Sequence, residues 1–71
     1  MIDPTRLKAN VLRRIAADAS WDAGRANRFA VECRRASDME AARLHEHDAE
    51  GFRLLARVAN EELRNRGEAL T

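Results

Sequence analysis

Ala42, Ala49 and Ala56 recur at intervals of seven, Leu63 completes the row, and His45, Phe52 and Ala59 form a second row beside it. Intervals of seven, interleaved at three and four, bring side chains to one face of an α-helix. Small side chains on such a face let a second helix come close, and the scarcity of large ones leaves nothing with which to enclose a pocket. The residues Ala42, His45, Ala49, Phe52, Ala56, Ala59 and Leu63 are therefore the expected interface of a long C-terminal helix.

The chain has 71 residues, enough for one small domain whose core only marginally offsets chain entropy without outside help. Of its 32 hydrophobic residues 14 are alanine, leaving 18 larger ones, Met1 and Cys33 among them. That is a thin core for a monomer, and dimerisation is the expected remedy. With one cysteine no intrachain disulfide forms. No run approaches the roughly 18 apolar residues of a membrane span, and the opening lacks the pattern of a signal peptide. These features predict a soluble protein in the reducing cytoplasm. The twelve arginines against one lysine, together with the alanine content, suggest a GC-rich coding sequence of bacterial, phage or plasmid origin.

The pattern predicts an all-α fold, residues 1–71 forming a single domain: a small bundle or hairpin of two to three helices with a long C-terminal one. Asp3-Pro4 is a helix opening, because Asp caps free backbone N–H groups and Pro at the first position loses no needed bond. A first helix carries Leu7, Val11, Ile15 and Ala19 every four residues with Leu12 alongside, and puts Arg6, Arg13 and Ala17 on the far side. A boundary is expected between Asp18 and Gly24, where Ser20 and Gly24 bracket the lone Trp21.

A second helix reads from about Asp22 to Arg35, with Ala26, Phe29, Ala30 and Cys33 on one face. Ser37-Asp-Met-Glu40 matches the S-x-x-E capping box and predicts a third helix from Asp38 to about Arg66, ended by Gly67. Leu44, Leu55 and Val58 lie on one flank of that helix. Gly51, inside it, costs roughly 1 kcal/mol relative to Ala, which makes sense either where another backbone comes close or at a local bend. A single unbroken helix over 24–66 is the competing reading, since the apolar register passes Ser37 without a slip.

Few residues suggest chemistry. His45 and His47, two apart, project about 200° from one another on a helix, so one metal ion cannot take both from a single chain. Each has a carboxylate three residues on, Asp48 and Glu50, and a symmetric dimer would bring two such pairs together. The E-x-x-H pattern of di-iron bundles is missing. Ser20 and Ser37 read as caps, Cys33 as packing, and the three glycines form no phosphate-cradling loop. The chain reads as neither an enzyme nor a cofactor or metal carrier.

Two functions fit what remains. The first is a helical protein–protein interaction module, a homodimer serving as regulator, adaptor or inhibitor of an unidentified protein partner. The second is a small nucleic-acid-binding protein. Residues 1–35 carry eight basic side chains against four acidic ones, and residues 36–71 five against eight. Arg6, Arg13, Arg14, Arg25 and Arg28, with Lys8, Arg34 and Arg35, would meet phosphates. Read as two helices, they are scattered rather than gathered on one face, and the same asymmetry also serves two halves that attract each other. The first function is therefore preferred.

Overall fold

Asp3 does cap the chain where the sequence places a helix opening. Its carboxylate accepts hydrogen bonds from the Thr5 amide at 3.0 Å and the Thr5 hydroxyl at 2.7 Å. The capped element is only a 3-10 turn, Pro4–Arg6, because Leu7 and Lys8 are extended and the α-helix starts afresh at Ala9. The computed structural model describes residues 3–68. It is a helical hairpin, with α1 over Ala9–Arg35 and α2 over Met39–Asn65, and no strand among the described residues.

The boundary expected between Asp18 and Gly24 does not exist, so there are two helices and not three. Ala16, Ala19, Ala23, Ala26 and Ala30 continue one buried row straight through that stretch. A lone glycine costs about 1 kcal/mol in a helix, less than a 27-residue helix gains by keeping its packed face in register. Ser20 and Trp21 are accordingly mid-helix and exposed.

The reversal falls at Ala36, Ser37 and Asp38, which excludes the unbroken helix over 24–66. The Asp38 amide reaches back to the Cys33 carbonyl at 2.8 Å and the Ser37 amide to the Arg34 carbonyl at 3.0 Å. This paired closure is the Schellman motif, in which the first residue past the cap is left-handed. Ser37 takes that position, at φ 60°. It is therefore the last residue of the α1 cap and not the first of α2, and the expected capping box does not form. Asp38 caps α2 instead, accepting from the Ala41 amide at 3.1 Å.

Between the helices lies a seam of small residues. The buried hydrophobics are Leu12, Ala16, Ala19, Ala23, Ala26 and Ala30 from α1, with Ala42, Ala49, Ala56, Ala59 and Leu63 from α2. Steps of three and four on α1, matched on α2 once the half-buried His45 and Phe52 are counted in the row, are those of antiparallel helices meeting along one stripe. Each alanine methyl contributes on the order of 0.8 kcal/mol on burial, well below a leucine. Leu12 and Leu63, the two largest fully buried side chains, close the open end of the hairpin around Ala16 and Ala59. The apolar stripe expected on Leu7, Val11, Ile15 and Ala19 is thus rotated: Leu12, Ala16 and Ala19 are buried, whereas Val11 is 39% exposed.

Arg66 ties the chain ends together. Its guanidinium donates to the Pro4 carbonyl at 3.0 Å, the Thr5 carbonyl at 3.1 Å and the Glu62 carboxylate at 2.8 Å. The body measures 45 × 21 × 14 Å. Its smallest dimension is close to one helix with side chains, ~10–12 Å, so the fold is a single layer.

Candidate protein interface

A single layer of two helices has two broad faces, and they differ sharply. On one, a depression at the open end is lined by Pro4, Leu7, Ile15, Leu55 and Val58. Leu55 also lines a second depression with Asp48, Gly51 and Phe52. Asp48 and Phe52 in turn line a third, with Asp22, Arg25, Phe29 and His45. Because neighbouring depressions share residues, they form one shallow trough along the hairpin.

Its walls are mostly apolar and under-covered. Phe29 is 47% exposed, although its ring meets that of His45 at 5.5 Å between centroids. Leu55 is 47% exposed. Its three depressions measure about 220, 310 and 340 Å³, at or below the lower end of the ~300–1,000 Å³ of ordinary small-molecule sites. All three are shallow and open, so the trough encloses little.

The other face is polar. Arg13 and Arg34 lie three heptads apart and so share a row on α1. Arg13 pairs with Glu68 at 2.7 Å, and Arg34 with Glu46 across the hairpin. The sequence pattern puts Arg13 on the far side of its helix; it is instead half-buried and ties α1 to the end of α2.

The alanine rows are occupied within the chain. Ala42, Ala49, Ala56, Ala59 and Leu63 are buried against α1, while His45 and Phe52 are half-buried at the edge of the seam and open onto the trough. Nothing in the chain comes within 4 Å of a Cβ built at Gly51, so no close backbone approach within the hairpin explains that glycine. It lies on the wall of the trough.

Among the described residues no group of three or more His, Cys, Asp or Glu side chains is placed to hold a metal ion. Cys33 is half-buried at the turn end of α1. Of the basic residues, Arg6 sits beside Asp3 at 3.9 Å and Arg14 binds Asp18 at 3.1 Å. Arg25 stacks over Trp21, 5.1 Å from the ring centre. Because α1 is one helix, Arg14, Trp21, Arg28 and Arg35, each seven apart, stand in one row instead of being scattered over two elements. No helix among the described residues is long and apolar enough to cross a membrane. No family model matches the chain, and no curated protein or solved structure matches it significantly.

Proposed function

We propose that this chain is a helical protein–protein interaction module that works as a homodimer, two hairpins covering each other's troughs to make a four-helix bundle. The observation that carries the reading is an inversion of the usual burial order. Among the described residues nine of the eleven buried hydrophobics are alanine, whereas Phe29 and Leu55, both on the trough, are each 47% exposed. Domains are normally built from two packed layers, and this chain supplies one.

Area supports a second copy. A compact 8.0 kDa monomer exposes about 4,450 Å² by the usual scaling with mass. This chain exposes 5,299 Å². The excess, roughly 850 Å², reflects an elongated body less compact than a monomer of this mass usually is, a shape that a second copy would make compact. A second copy also answers the charge pattern of the trough, since Asp22 and Asp48 on its floor stand beside Arg25. In an isologous interface residue i of one copy meets residue j of the other and the reverse, so a surface carrying both signs can face its own copy with opposite charges opposed.

The dimer face thus lies beside the buried alanines, with Phe52 at the edge they share and Ile15, Phe29, Leu55 and Val58 beyond it. A Leu55→Glu, Val58→Glu double variant places two charges in that face. Light scattering coupled to size exclusion is expected to show half the wild-type mass. Leu54→Glu, whose side chain lies on the outer side of α2 at 51% exposure, is expected to leave the mass unchanged. Equal masses for all three proteins would refute the assigned face.

A further inference from the structure

The outer ridge of α1 is the one other surface with a defined chemistry. Trp21 is two residues from both Ala19 and Ala23, so it projects about 160° to 200° away from the seam. It is 60% exposed, more than any other large hydrophobic among the described residues except Leu44. One face of its indole is covered by the Arg25 guanidinium; the exposure leaves the other available. Arg14, Arg28 and Arg35 share its row, over a span of about 31 Å from first to last. Arg28 and Arg35 have no ion-pair partner among the described residues, and neither has Arg25. Asp18, Asp22 and Glu32 lie beside the row; Asp18 offsets Arg14, and Asp22 shares a depression with Arg25.

We propose that this ridge binds single-stranded nucleic acid, the phosphates resting on Arg25, Arg28 and Arg35 and one base stacking on the free face of Trp21. A guanidinium and an indole side by side form a platform for a π-face of any base, and single-strand binders combine such platforms with a positively charged track. The row lacks the second and third large apolar side chains that a helix lying in a lipid surface presents. Wedging into a duplex would separate Trp21 from Arg25; stacking on a splayed base does not. Trp21, Arg28 and Arg35 lie outside the lining of the trough, and only Arg25 belongs to both surfaces, so the double variant at Arg28 and Arg35 tests the ridge without touching the proposed dimer face.

Trp21 is the sole tryptophan and therefore a built-in reporter. The wild-type protein is titrated with a thymidine 12-mer at several salt concentrations, following indole fluorescence. Saturable quenching is expected, with the logarithm of the affinity falling against that of salt at a slope near −2, the value for about three phosphates on a single strand. Arg28→Ala with Arg35→Ala is expected to weaken binding tenfold or more while circular dichroism stays unchanged. In Trp21→Phe, read by anisotropy of a labelled oligonucleotide, the salt slope persists and the affinity drops several-fold. Absence of quenching at 50 mM salt overturns the proposal. So does quenching by anionic phosphatidylglycerol vesicles without any by the oligonucleotide, or equal affinity for a 12-base-pair duplex.

Discussion

Ser37 and Gly67 hold the same position at the ends of the two helices, each the left-handed residue of a Schellman closure. Ser37 has φ 60° and Gly67 φ 74°. The Glu68 amide bonds the Leu63 carbonyl at 2.8 Å in the second closure, as the Asp38 amide bonds the Cys33 carbonyl at the same distance in the first. Glycine accepts this conformation freely, whereas a side chain with a Cβ pays on the order of 1–2 kcal/mol.

Ser37→Gly should accordingly stabilise the hairpin by about 1 kcal/mol, raising the melting temperature by roughly 4–8 °C for a domain of this size. Gly67→Ala should do the reverse. Nothing lies within 4 Å of a Cβ at Gly67, so its cost comes from backbone conformation alone. Thermal melts of the two variants check both signs, and a Ser37→Gly protein that melts below wild type would contradict the assignment of the turn.

The seam makes a second prediction. Ala49 has no exposed surface and Ala19 only 2%, so a leucine at either has to push the helices apart, at a cost of about 1–3 kcal/mol. Ala17→Leu, on the exposed side of α1, is the control, since leucine is nearly as good a helix former as alanine. Circular-dichroism melts should separate Ala19→Leu and Ala49→Leu from wild type and leave Ala17→Leu beside it.

How much of this fold is legible in the sequence depends on what each signal measures. The alanine spacing in 42–63 locates α2 and its buried face, because a seven-residue recurrence survives any detail of the ends. Gly67 is readable as a terminator for the same reason that it adopts positive φ. The false break at 18–24 comes from taking Ser20 and Gly24 as local punctuation, whereas Ala19, Ala23 and Ala26 carry the packing across them. At Ser37 the capping pattern is off by one residue, since a serine forced into the left-handed region cannot also serve as an N-cap, and Asp38 stands next to it. The trough is half legible: Leu55 and Val58 fall on a flank of their helix, but their proximity to Leu7 and Ile15 depends on the hairpin register. The row of Arg14, Trp21, Arg28 and Arg35 is hidden by the supposed break.

The N-terminal turn responds to pH. Hydrogen bonds from the Thr5 hydroxyl and amide hold the Asp3 carboxyl below its ordinary value. A carboxylate depressed in the folded state contributes stability above its unfolded pKa and loses it as the pH falls through the folded value. The Thr5 amide resonance should therefore shift along a titration whose midpoint lies below that of an unstructured aspartate. Asp3→Asn should abolish the titration without altering α1 or α2.

Arg66→Ala removes the guanidinium bonds to Pro4 and Thr5. Exposed charged contacts are worth little globally, ~0–1 kcal/mol, so the melting temperature should move slightly. Native-state hydrogen exchange should instead show faster exchange at the Arg6 and Leu7 amides, which bond Asp3 and Pro4 carbonyls in the 3-10 turn. Unchanged exchange there would show that the turn stands without Arg66.

If a second copy completes the single layer of two helices, sedimentation equilibrium on the wild-type protein between about 1 and 100 µM detects it without any substitution. The expected species has twice the 8.0 kDa chain mass, with helix content and melting temperature that rise with concentration. A single species of chain mass over the whole range, melting cooperatively at a concentration-independent temperature, would rule the dimer out.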